Sequence, residues 1–234
     1  MFLPVFNISY MIYMLPALIL SLIAQFYVKS RYAHWSQVRN RAGLTGVQVA
    51  QRLSERLGLY DLKLKGIQGQ LTDHYDPRNN VLSLSKEIAQ EPTVASMAIT
   101  AHELGHAQQD KENYLPMKIR SAMVPAVNIG TSLGWVLILI GLLLNLGNLA
   151  WLGIFAFSAG AIFSIATLPV ELNASKRAKN MLEQSGVIQS EEERKGVNQV
   201  LNAAALTYVA AIASSVMQLF YFASLAGGKD RRRS

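Results

Sequence analysis

Long apolar runs alternate along the chain with shorter stretches of mixed polarity. Four runs, roughly 2–28, 123–146, 149–168 and 203–225, reach the length of about 20 mostly apolar residues that a helix needs to cross a hydrocarbon core. The first lacks a positively charged beginning and is followed by "KSRYAHWSQVRNR" instead of a small-residue cleavage site, so it reads as a retained anchor and not a signal peptide. The second carries Gly130 and Gly134 in "GTSLG", a spacing that lets two helices approach closely. The fourth bears a mildly polar stripe of Thr207, Ser214, Ser215 and Gln218. It either crosses the bilayer or re-enters it, and four crossings are the expectation.

Between the first two runs, 29–122 follows the periodicities of a folded soluble domain. Thr45 and Gln48 form a capping box opening "GVQVAQRLSERL", and Gly58 closes that helix. In "YDLKLKGIQGQLTDHYDPRNNVLSLS", Leu62 and Leu64 alternate with lysines, and Val81, Leu82 and Leu84 follow a "DPRNN" turn, which predicts a β-ribbon of two or three short strands. Glu91-Pro92-Thr93 then supplies a proline stop and a Thr N-cap for a helix of about five turns, "TVASMAITAHELGHAQQD". The predicted fold class is a mainly α membrane protein: about four transmembrane helices with a small cytoplasmic α+β domain, a short β-ribbon plus the helix that carries "HELGH". The expected order is an anchor at 2–28, the cytoplasmic domain at 29–122 and a transmembrane hairpin at 123–168. A cytoplasmic helical segment at 169–202, a fourth apolar helix at 203–225 and a basic tail at 226–234 complete it.

Composition agrees with the pattern. The chain is 51% hydrophobic and only 16% charged, with positive mean hydropathy, as expected of a multi-pass membrane protein. Its net charge of +7 comes from basic residues beside apolar runs, not interleaved with aromatics, which favours a membrane surface over nucleic acid as the partner. Beside the soluble stretches stand Lys29, Arg31, Arg39, Arg41, Lys118, Arg120, Lys176, Arg177, Lys179, Arg194 and Lys195; the other side has only Lys229 and Arg231, Arg232 and Arg233 in the tail. This asymmetry places the soluble domain in the cytoplasm. With four crossings the tail falls outside, against the rule; a re-entrant fourth segment removes that conflict.

The chain has no cysteine and only four histidines, and "HELGH" holds two of them, so a metal site here must use His and carboxylates. On a helix, His102 and His106 lie on one face about 6 Å apart along the axis, close enough for one ion. Glu103 flanks that face, near enough to take a proton from a metal-bound water without being a ligand. Zinc lowers the pKa of such a water and polarises a carbonyl. A surface helix with two solvated histidines is the plain alternative, but the stretch before His102 is too poor in charge for one.

Catalytic zinc takes three protein ligands. One familiar class has His six residues after the second His and Gly three after it; Glu112 and Gln109 stand there instead. Of the downstream carboxylates, Glu171 directly follows the third apolar run, and a hairpin of the second and third runs returns it to the membrane side where His106 lies. Glu171 is therefore the expected third ligand, with Asp110 and Glu191 next in order. Its alternative role is a partner for Lys176 or Arg177. The run Glu191 to Glu193 reads as a solvated charge cluster.

Together "LTDHYDPRNNVLSLS", "AHELGHAQQ", "RSAMVPAVNIG" and "LPVELNASKRA" resemble the YugP-type neutral zinc metallopeptidase family of bacterial membrane proteases. The likeness covers most of residues 40–210 in order. It extends, more distantly, to the membrane-embedded HtpX and Ste24 proteases, which carry an acidic residue four positions after the ligand Glu where this chain has Ser175. The resemblance implies a zincin-like domain at 29–122 and one Zn2+ held by His102, His106 and Glu171, with Glu103 as general base. It implies a polypeptide substrate, membrane-associated, whose extended backbone pairs along the strand around Val81 to Leu84. Candidate oxyanion partners are His74, Tyr75 and Arg177; His74 is equally well read as a turn residue bonded to Asp73 or Asp76. The rival from another class is a catalytically silent membrane scaffold retaining structural zinc. An intact Glu103 and only three visible ligands argue against it, since structural sites close all four positions and need no base.

Overall fold

The computed structural model describes residues 8–230. Positions 2–7 of the expected anchor and 231–234 of the basic tail lie outside them. The elements are α1 (Ile8–Trp35), α2 (Gly46–Leu57), β1 (Lys63–Ile67), β2 (His74–Asp76), β3 (Val81–Ser85), α3 (Lys86–Gln90), α4 (Val94–Lys111), α5 (Leu115–Leu143), α6 (Gly147–Gln184) and α7 (Glu191–Asp230). Helices α1, α5, α6 and α7 are each long and apolar enough to cross a membrane. Two compact units result: one of 8–24, 119–168 and 207–230, the other of 25–118 and 169–206.

In the first unit, α5 and α6 pack through small residues. A Cβ on Gly134 would lie 2.6 Å from Phe157 N and 2.8 Å from Gly153 O, and one on Gly130 would lie 3.0 Å from Ala156 O. The "GTSLG" spacing therefore serves close helix contact, where no side chain fits. Ile138, Ala150, Ile154, Tyr221 and Phe222 form this unit's core. Large apolar side chains such as Phe155 at 79% and Ile129 at 61% are exposed, a pattern suited to lipid contact.

Several helices outrun their apolar stretches. Helix α6 continues unbroken through Pro169 to Gln184, and α7 is a single helix of 40 residues, without the break that a re-entrant hairpin requires. At 1.5 Å per residue the 38 residues of α6 span roughly 57 Å, well beyond a hydrocarbon core of about 30 Å. Its 147–168 part belongs to the first unit and its 169–184 part to the second.

The second unit has a core of Trp35, Val49, Leu53, Leu82, Leu84, Met97, Leu104 and Leu182, among others. The expected capping box opens α2, with Thr45 and Gln48 bonding each other's backbone, and Gly58 ends it in the left-handed region at φ 65°. Thr93 caps α4 by accepting from the Ser96 amide at 3.1 Å. The small, apolar start of α4 lets it be buried along nearly its whole length.

The three-stranded sheet has the order β1-β3-β2. β1 pairs parallel with β3 and β2 antiparallel, with Tyr75 opposite Leu82. This corrects one expectation: Val81 to Leu84 is not an edge. β3 is buried and flanked on both sides, because Leu82 and Leu84 belong to the core, so no substrate backbone can pair there. The free edge on that side is β2. Short helix α3, which the pattern did not predict, separates β3 from α4.

Candidate metal centre

The regular turn of α4 sets His102 and His106 one above the other, ring centroids 4.9 Å apart and nearly perpendicular. α6 brings Glu171 against them: its Oε2 is 3.3 Å from His102 Nε2 and 3.4 Å from His106 Nε2. The two helices approach this closely because Gly105 has no Cβ; one placed there would be 2.6 Å from the carbonyl oxygen of Ala174. Glu171 is 3% exposed and His106 8%. Among the described residues these three make up the one His/Cys/Asp/Glu group close enough to share an ion, their donor atoms all within 4.8 Å of one another.

The donor set fits zinc. Tetrahedral bonds of about 2.0–2.1 Å put neighbouring ligand atoms roughly 3.3–3.4 Å apart, close to the two His–Glu separations. The electrostatics agree. Burial disfavours the charged form of His106, but the hydrogen bond it donates to Glu171 and the charges of Glu103 and Glu171 outweigh it and lift the ring above its ordinary value. A pocket that raises an imidazole is short of positive charge, which a divalent cation supplies.

Each imidazole is also held by its other nitrogen. His102 Nδ1 lies 3.2 Å from Ser175 Oγ, at the position where the HtpX and Ste24 proteases carry an acid. His106 Nδ1 lies 3.0 Å from Gln109 Oε1. Glu103, 9% exposed, accepts a hydrogen bond from the Tyr75 amide at 3.0 Å. Burial is the main reason its carboxyl is pushed above the usual carboxylate range; the two imidazoles oppose this, and the charges of Glu171 and Asp73 add to it. A carboxylate in such a place binds a proton more readily than a solvated one.

The other sequence candidates have polar partners of their own. The Tyr75 hydroxyl donates to Asp110 Oδ2 at 2.9 Å, which also occupies Asp110, the reserve ligand. Arg177 pairs with Glu112 at 2.7 Å and donates through Nε to Asn173 Oδ1 at 2.7 Å. His74 is exposed and donates from Nδ1 to the Thr72 carbonyl at 2.9 Å, not to Asp73 or Asp76. The expected solvated run breaks at Glu193, only 2% exposed. Its carboxylate accepts from the amides of Arg41 and Gln189, each at 2.6 Å. Sequence reasoning missed Gln109 and the Tyr75 amide. The available signal was a Gln one turn from a ligand His on the buried face; a backbone amide leaves no signal in side-chain identity.

Over residues 10–227 the chain matches a protein family described as "putative neutral zinc metallopeptidase". It is 43% identical over 215 residues to a protein of Bacillus subtilis (strain 168) named "Putative membrane protease YugP", covering 92% of this chain and 95% of that one. No solved structure matches.

Proposed function

Because the chain belongs to this neutral zinc metallopeptidase family, we propose that it is a zinc-dependent endopeptidase of the bacterial cytoplasmic membrane. Its substrates are membrane or membrane-proximal polypeptides, and its site faces the cytoplasm. The observation that carries the reading is the triangle of His102 Nε2, His106 Nε2 and Glu171 Oε2, with sides to the Glu of 3.3 and 3.4 Å. These three residues hold the zinc. When bound, zinc lowers the pKa of a coordinated water and polarises the scissile carbonyl.

Glu103 takes the proton from the attacking water and returns it to the leaving amine. Its position one residue after His102 lets it reach that water while its other oxygen stays on the Tyr75 amide. That amide marks the outer edge of β2 as the strand nearest the reaction, so an extended substrate pairs along β2, not β3. The basic residues flanking the soluble stretches support the cytoplasmic side.

The test is cleavage of casein or an unfolded membrane peptide by the purified, detergent-solubilised protein, before and after a chelator and after zinc is restored. The expected result is activity that disappears with the metal and returns with it. Cleavage indifferent to the chelator, or none at one zinc per chain, would sink the proposal.

A further inference from the structure

Gln109 lies on α4 one turn beyond His106 and is fully buried, at 0% exposure. Its amide is used at both ends. Nε2 lies 2.9 Å from the Val170 carbonyl and 2.9 Å from Asn173 Oδ1, while Oε1 faces His106 Nδ1 at 3.0 Å. A carbonyl can only accept, so the Val170 oxygen dictates which way the amide points: nitrogen towards α6, oxygen towards His106. That oxygen has no hydrogen to give. His106 Nδ1 must therefore carry a proton, and in the neutral ring the lone pair falls on Nε2, the atom 3.4 Å from Glu171 Oε2. His102 is under no such constraint, because the Ser175 hydroxyl that faces it can donate or accept.

Val170 and Asn173 flank Glu171 on α6. The side chain that selects the His106 tautomer thus also fixes the backbone that presents Glu171. Asn173 is braced in turn by Arg177, itself paired with Glu112.

Resting on the zinc-site reading above, we propose that Gln109 is a positioning residue: it sets the metal-ready tautomer of His106 and locks it in register with Glu171. Removing a group that orients a ligand histidine typically costs about 10- to 100-fold in metal affinity or activity. Two replacements separate tautomer control from plain packing. Gln109→Met keeps the volume and loses every polar contact. Gln109→Glu keeps an acceptor for the His106 N–H but loses both donations to α6.

The experiment measures zinc affinity of the full-length proteins in detergent by competition with a chromophoric chelator, together with the visible spectrum of each cobalt-loaded form. The expected order of affinity is wild type, then Gln109→Glu, then Gln109→Met, the last weaker than wild type by about 10- to 100-fold and with an altered cobalt spectrum. Equal affinities, or Gln109→Met binding as tightly as Gln109→Glu, would overturn the inference and leave the zinc site standing. A wild-type protein that binds no zinc would overturn both.

Discussion

The backbone N–H of Tyr75 donates to Glu103 Oε2 at 3.0 Å. The same residue reaches further along α4, its hydroxyl donating to Asp110 Oδ2 at 2.9 Å. Glu103 and Asp110 are seven residues apart, two helical turns, so Tyr75 is fastened to α4 at two points on one face. Burial, followed by the bond to Asp110, raises the phenol well above its ordinary value, so the hydroxyl remains a donor at working pH.

This double attachment yields a prediction for Tyr75→Phe, which frees the ring but keeps the strand. A hydrogen bond to a charged acceptor contributes about 1.5–3 kcal/mol, and losing it lets the amide drift from Glu103. The expected result is a fall in kcat of about tenfold with zinc content and KM nearly unchanged. A variant that loses KM while keeping kcat would place Tyr75 in substrate binding instead.

Gly105 is the second pressure point. An added Cβ would meet the Ala174 carbonyl oxygen at 2.6 Å and its carbon at 3.1 Å. Both are backbone atoms, so α4 and α6 would have to part, carrying the two histidines away from Glu171. Gly105→Ala should lower stability by about 1–3 kcal/mol, as overpacking does, and reduce zinc per chain. Gly66→Ala is the control, since nothing lies within 4 Å of a Cβ there. Metal analysis and thermal unfolding of the two variants side by side check the prediction; zinc retained in full by Gly105→Ala would contradict it.

How much of this could be read from the chain depends on the range of the interaction. The capping box of Thr45 and Gln48 and the pairing of His102 with His106 are local, and spacing sufficed. Glu171 could be singled out because two adjacent apolar runs must form a hairpin. Other features depend on partners far along the sequence. β3 is central because β1 pairs with it in parallel across the intervening β2, an arrangement that a ribbon of successive strands does not suggest. Helix α1 continues to Trp35 because that indole is buried and donates to Gln199 Oε1 at 3.0 Å. Glu193 resembles Glu191 and Glu192 in composition, and the amides of the distant Arg41 and of Gln189 set it apart. Gln109 served in the sequence merely to exclude a glycine; its use became visible once α6 stood beside it.

Membrane orientation is tested by reporters. The basic residues around the soluble stretches predict that fluorescent protein inserted within 61–70 will fluoresce, as it does only in the cytoplasm. Because α7 is one unbroken helix with an apolar window long enough to cross, a fusion after Ser234 should lie on the opposite side and stay dark. Fluorescence at both positions would mean that α7 does not cross. A dark insertion at 61–70 with intact expression would invert the topology.

The most direct chemical prediction concerns Glu103→Gln. The amide is nearly isosteric and can still accept the Tyr75 N–H through its oxygen, so the fold and the three candidate ligands are left in place. Zinc stoichiometry should equal that of the wild type. Proteolysis should nevertheless collapse, because an amide cannot take the proton that Glu103 removes from the attacking water, and loss of a general base costs about 10² to 10⁴-fold in rate. The loss should appear in kcat with little change in KM, since the group acts in the transition state and not in binding. The comparison is made at matched zinc content, so a deficit cannot be attributed to missing metal. Wild-type turnover in Glu103→Gln would remove Glu103 from the reaction, whereas a silent variant carrying full zinc would also exclude a purely structural site, which needs no base and would lose nothing.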